Sequence, residues 1–227
     1  MKNIIVGIDF STSSINAMRH AVALSIKTKA TIHLIWVKSP GAANNAVGDD
    51  GQFMSHIQTK LQECAVMCRQ ESPESFINSI ILEGKPHVEI IKYASNLPDS
   101  IIVMGTHGSS GFEEGYIGNN VYRLINNSEV PVLIMRENIN IHRDLHKIFV
   151  PVDISFATLQ KIKYAIELAK AFAAQIYLLG VVSPNDEDTR HIIEVQLHNA
   201  MDMCNEANVR CVAETLNVQG DVCNAIL

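Results

Sequence analysis

The chain of 227 residues contains no apolar run near the roughly 20 residues that a membrane-spanning helix requires. Its lysines and arginines are scattered and its formal net charge is −6, so no basic patch is on offer to nucleic acid. Cysteine is sparse. Cys64, Cys68, Cys204, Cys211 and Cys223 are odd in number and form no CxxC pair, which argues against a disulfide scaffold and for a reducing, cytoplasmic setting. Cys64 and Cys68 can share a helix face, but two ligands without a further pair make a poor metal site. No HExxH motif is present, and neither Ser11 nor Ser109 and Ser110 sit in a GxSxG elbow. The phosphate-binding GxxxxGK[ST] motif is missing too, so no lysine is presented to a terminal phosphate. Residues 1–9 read as a strand and not as a signal peptide, because Asp9 interrupts the apolar run. What remains is an ordinary globular composition, 47% hydrophobic and 19% charged, able to bury a core.

Against that background stands a glycine loop. The apolar residues 101–104 lead into Gly105-Thr106-His107-Gly108, then nine residues, then Gly118-Asn119-Asn120. Glycines so placed let the backbone turn back with its N–H groups outward, and a helix beginning at Asn119 adds its positive end to the same spot. A phosphate chain is the guest that suits such a nest. His107 has no acid, base or nucleophile beside it, so its expected role is to shape the turn, not to move protons.

The chain also repeats itself. An offset of 144 places Ile4 on Ile148, Val6 on Val150, Asp9 on Asp153, Ser11 on Ser155, Ala21 on Ala165 and Leu34 on Leu178, with no gap from residue 2 to residue 40. In the first copy, strands are expected at residues 3–8, 31–37, 76–82, 99–104 and 131–135. Helices are expected after Ser11, from Phe53, from Pro86 and near residues 120–127. Alternation of this kind predicts an α/β fold, a doubly wound five-stranded parallel sheet of Rossmann-like type. The second copy reaches only the helix matching residues 87–94, so two tandem copies are expected with the second truncated. The expected boundaries are a first domain at 1–138, a linker at 139–145 and a partial second domain at 146–227.

In open parallel sheets, ligands bind beyond the carboxyl ends of the strands, where the strand order reverses. With the first strand central and the fourth beside it, the segment Gly7-Ile8-Asp9-Phe10-Ser11 faces Met104-Gly105-Thr106-His107-Gly108. An acid opposite a glycine nest suits a nucleotide, with Val37 at the end of the second strand lining the base.

These residues resemble the universal stress protein family in its tandem form. The likeness rests on Val6-Gly7-Ile8-Asp9-Phe10-Ser11, Gly84-Lys85-Pro86, Ile102-Val103-Met104-Gly105-Thr106-His107-Gly108 and Pro131-Val132-Leu133-Ile134. The resemblance implies an adenine nucleotide alpha hydrolase-like fold and an ATP site, with Mg2+ or Mn2+ accompanying the nucleotide. The implied contacts are Gly7, Asp9, Val37, Met104, Gly105, His107, Gly108, Gly118, Asn119, Asn120 and Val121. Asn119 departs from the family pattern, where a hydroxyl residue is usual; its amide can still donate to phosphate oxygen. Also implied are a stress-response role, an unknown protein partner and a homodimer through residues 130–135, bounded by Val130 and Met135. The expected function is nucleotide sensing with little turnover, at most a slow ATPase, because no arginine finger or water-positioning acid can be named. The alternative is a dimerising scaffold that ignores nucleotide. An adenylyl-transferring enzyme is disfavoured, because residues 9–14 read DFSTSS where such enzymes carry a Ser-Gly-Gly-x-Asp-Ser loop.

Overall fold

Aliphatic runs of five to eight residues, each closed by a turn and followed by an amphipathic helix, fold here as successive strand–helix units. The computed structural model describes residues 1–40, 50–106, 117–136, 145–155, 157–182 and 187–217. The chain divides into two compact units, Met1–His142 and Arg143–Leu227.

Unit 1 runs β1 (Asn3–Gly7), α1 (Thr12–Thr28), β2 (Thr31–Lys38), α2 (Asp50–Glu71), β3 (Ile77–Glu83), α3 (Pro86–Ser95), β4 (Ser100–Gly105), α4 (Asn119–Asn127) and β5 (Val132–Met135). The strands form one parallel sheet in the order β3-β2-β1-β4-β5. This is the expected doubly wound arrangement, with boundaries shifted by a residue or so. β4, for example, runs on to Gly105, because Gly105 still pairs with Met135 of β5.

Local chemistry explains the helices. Ser11 caps α1 by accepting from the Ser14 N–H, and Lys29 ends it in the left-handed conformation with its N–H on the Ser25 carbonyl. Ala17, Ala21, Leu24 and Ser25 are the buried face that the spacing anticipates. Pro86 opens α3, where its missing N–H costs nothing. Alternate residues of the central strands bury on opposite sides of the sheet. Ile5, Ile35 and Ile102 join Ile90 and Ala94 of α3 and Leu124 of α4 in one cluster. Ile4, Ile32 and Leu34 are equally buried on the other side.

Unit 2 runs β6 (Lys147–Val152), α5 (Ala157–Phe172), β7 (Gln175–Val182), α6 (Glu187–Glu206) and β8 (Cys211–Asn217). Its three parallel strands lie in the order β6-β7-β8, consistent with a partial second domain. The repeat survives in the hydrogen bonding. Asn3 pairs with Thr31 in unit 1, and Lys147 pairs with Gln175 in unit 2, both displaced by 144. The sheet position of Ile5 is taken by Phe149 and that of His33 by Tyr177; their rings stack at 5.0 Å.

One buried polar network was not legible as such in the sequence. His33 of β2 is 5% exposed. Its Nε2–H donates to Asn3 Oδ1 at 3.1 Å, and its Nδ1 accepts from the Tyr93 hydroxyl at 2.9 Å. Asn3 in turn donates to the Pro98 carbonyl at 2.8 Å. Both ring nitrogens are satisfied in the neutral form, and burial pushes the His33 pKa below its ordinary value. The native state therefore binds fewer protons at this site than the unfolded chain, which titrates near about 6.5. The stabilisation is complete above that pH and is lost as pH falls toward the depressed folded value. His33→Gln should flatten the decline of melting temperature between pH 7 and pH 5, followed by circular dichroism in parallel with wild type.

Candidate functional site

The strand order reverses between β1 and β4, because β1 connects through α1 to β2 on one side while β4 leads to β5 on the other. Their carboxyl ends therefore form the switch point of the sheet, the place where open parallel sheets bind ligands. Val6 pairs with Val103, so the residues that follow each strand emerge side by side. Ile8 extends the edge by donating to the Ile35 carbonyl at 2.8 Å.

Asp9 comes next. Its Oδ1 accepts from the Ser11 N–H at 3.0 Å and from the Ser11 hydroxyl at 2.6 Å. Its own N–H reaches Ser14 Oγ at 3.4 Å. The carboxylate is thus built into the entry of α1 and stays exposed. Between Asp9 and Ser11, Phe10 adopts a φ of 65°. A left-handed conformation in a bulky residue costs on the order of 1–3 kcal/mol. The Phe10 ring carries a cation above it, with Lys60 Nζ of α2 at 5.5 Å from the centroid.

The second unit repeats this turn with different surroundings. Ser155 N–H and hydroxyl both donate to Asp153 Oδ1, and the Asp153 N–H reaches Thr158 Oγ1 at 3.2 Å. Thr158 also donates to the carboxylate at 2.7 Å, and Lys161 pairs with its other oxygen at 3.3 Å. These hydrogen bonds, from Ser155 and then Thr158, hold the Asp153 carboxyl well below the usual carboxylate range. Lys161 stands where unit 1 has the buried Ala17.

The two strand-end glycines serve packing. A Cβ on Gly105 would lie 2.6 Å from the Ser13 carbonyl oxygen, so α1 approaches β4 closely only because that residue is glycine. A Cβ on Gly7 would meet the Met104 sulfur at 2.5 Å. Met104 and Val37 pack against the cluster of Ile5, Ile35 and Ile90, on one face of the sheet near its carboxyl edge.

Gly118 closes the stem of the glycine loop, its N–H donating to the Thr106 carbonyl at 2.9 Å. Thr106 N–H in turn donates to the Met135 carbonyl at 3.1 Å. Gly118 is the N-cap of α4 with φ −59° and ψ 147°, and no side chain caps that helix. The amides aimed outward from the first turn are therefore those of Asn119, Asn120 and Val121, while Gly118 spends its own on the stem. The Val121 side chain is 5% exposed and belongs to the core, so only its backbone is open to a ligand. His107 and Gly108 lie outside the described residues.

The structure thus gathers Gly7, Asp9, Met104 and Gly105 at one junction, with Gly118 tied to it through Thr106. Sequence reasoning overlooked Phe10 and Lys60. No composition signal marks them, because a residue's φ and a contact 50 positions away are tertiary facts. A groove of about 740 Å³ along α2, lined by residues such as Gln58, Gln62 and Gln70, shares no residue with this junction. The thiols are poor nucleophiles: burial pushes Cys68 and Cys204 up to about 12. Among the described residues no group of three histidine, cysteine or acidic side chains could hold a metal ion. Likewise, no helix among them is long and apolar enough to cross a membrane.

The fold and the junction define an open parallel α/β protein with a switch point between β1 and β4. The model of the universal stress protein family matches residues 1–136, and the chain belongs to that family. Universal stress protein MJ0531 of Methanocaldococcus jannaschii is 29% identical over 140 residues, covering 60% of this chain and 82% of that protein. Universal stress protein MJ0577 of the same organism is 28% identical over 153 residues, covering 60% and 94%. The crystal structure of a universal stress protein from Archaeoglobus fulgidus superposes with a TM-score of 0.72 at 18% identity. It covers 96% of this chain and 79% of the other, a likeness of fold.

Gly105→Ala tests the packing role. The new methyl group should push α1 from β4 and lower unfolding stability by about 1–3 kcal/mol, read from urea midpoints.

Proposed function

We propose that unit 1 binds an adenine nucleotide, ATP with Mg2+ or Mn2+, at the carboxyl ends of β1 and β4. The observation that carries this reading is the convergence of an acidic turn and an uncapped helix N-terminus. Asp9 follows β1, and the first amides of α4 are drawn to the same edge by the Gly118–Thr106 hydrogen bond. Acid toward ribose or base and amides toward phosphates is a division of labour that suits a nucleotide. Membership of the universal stress protein family supports the reading, and so does the spacing of Gly105, Gly108 and Gly118. On this reading Gly7, Val37, Met104 and His107 complete the pocket, and Asn119, Asn120 and Val121 contact phosphate.

Bound nucleotide would change a surface that a protein partner reads, making the protein a cytoplasmic stress-response sensor. Efficient turnover is not part of the proposal, because the sequence has no GxxxxGK[ST] motif to bring a lysine to a terminal phosphate. Unit 2 is read as a partial second copy whose Asp153 carboxylate is engaged by its own serine, threonine and lysine.

Isothermal titration of the full chain with ATP and Mg2+ is the test. Gly118→Val fits the backbone angles of that position, yet crowds the phosphate end; it should weaken binding at least about tenfold. Asp9→Ala should do the same. Unchanged affinity in both variants would remove the junction from any nucleotide site.

A second reading has its own observation: β5 is an edge strand, with Val132–Met135 half-buried and one side of its ladder unpaired within the sheet. It supports a homodimer through this strand. The solution mass, measured by light scattering with and without ATP, should be that of a dimer; a monomer in both conditions would exclude it.

A further inference from the structure

Phe10 is the only residue of the Asp9-Phe10-Ser11 turn in the left-handed region, and the turn itself does not demand it. Unit 2 makes the same turn, with the same Ser155-to-Asp153 hydrogen bonds, while Ile154 is not among the residues with positive φ. The two turns differ in what meets the middle residue. The buried faces of the second helices correspond at an offset of 136, Ile57 with Ile193, Leu61 with Leu197 and Cys68 with Cys204. That offset puts Gln196 where Lys60 stands. Unit 2 therefore has neither the ring nor the cation, and lacks the left-handed residue. Unit 1 has all three, with Lys60 Nζ 5.5 Å from the Phe10 centroid.

We propose that Lys60 is a positioning residue for the nucleotide site: by holding the Phe10 ring from α2, it keeps the Asp9 turn in the left-handed form that presents the carboxylate to the nucleotide at the β1–β4 junction. The proposal rests on the nucleotide reading above and adds a specific control of it. The attraction between an ammonium and an aromatic face needs no direct contact between Lys60 and the ligand. The strained residue then has a function, since a left-handed phenylalanine persists only where its surroundings hold it.

A mutant cycle read by titration with ATP and Mg2+ tests this. Lys60→Met keeps the aliphatic stem and removes the charge; affinity should fall about three- to fivefold. Lys60→Arg restores the cation and should restore affinity. In a Phe10→Gly background the left-handed turn needs no holding, so Lys60→Met should there have no effect. Phe10→Asn, which also tolerates this conformation, serves if the glycine variant is unstable. Amide exchange in the ligand-free protein provides a second readout: Lys60→Met should speed exchange at Ser11 and Ser14. Full affinity in Lys60→Met, beside a wild type that binds, would overturn the proposal. So would an effect of Lys60→Met that persists in the Phe10→Gly background, since the lysine would then touch the nucleotide itself. Failure of wild type to bind any adenine nucleotide would overturn the nucleotide reading instead, and unchanged exchange at Ser11 and Ser14 would then dispose of the turn-holding role as well.

Discussion

Everything at the candidate site follows from β1 lying in the middle of its sheet, hydrogen-bonded to β2 on one side and β4 on the other. A parallel strand so placed sends its connection to one side while the later strands fill the other. The carboxyl ends of β1 and β4 are therefore the point at which the strand order reverses. Residues 9–14 and 104–106 meet because of this pairing and for no local reason. The close approach of α1 to β4, permitted by Gly105, tightens the junction.

The internal repeat separates what the fold needs from what the site needs. Both units keep the strand register and the Asp-x-Ser turn, with serine hydroxyl and amide bonded to the aspartate. That turn is therefore chiefly a device for starting a helix at the end of a parallel strand. The differences fall on the surroundings. The exposed Asp153 accepts from Thr158 and pairs with Lys161, whereas the turn at Asp9 carries a left-handed phenylalanine beneath a lysine.

The polar network around His33 makes a related point within unit 1. Asn3, His33 and Tyr93 come from β1, β2 and α3 and satisfy one another in a region otherwise lined by isoleucine. A buried histidine with both nitrogens bonded specifies the register of these elements, since a slipped strand would leave polar atoms unpaired.

Most of the architecture was legible before any coordinates. Apolar runs, Ser11 as a cap, Pro86 at a helix start and the 144-residue offset all act over short distances or by simple periodicity, so the element order and the parallel sheet follow from them. The site was legible in part. Asp9, Met104 and Gly105 could be named from their places at strand ends, and Gly118 from its place before a helix. The sequence by itself thus determined the strand–helix alternation, the 144-residue correspondence and which segments could meet. Only the tertiary structure decided that Gly118 spends its N–H on Thr106, that Phe10 is left-handed and that Lys60 reaches it. Those facts depend on backbone angles and on contacts between distant residues, which arise only once the sheet has brought its strand ends together.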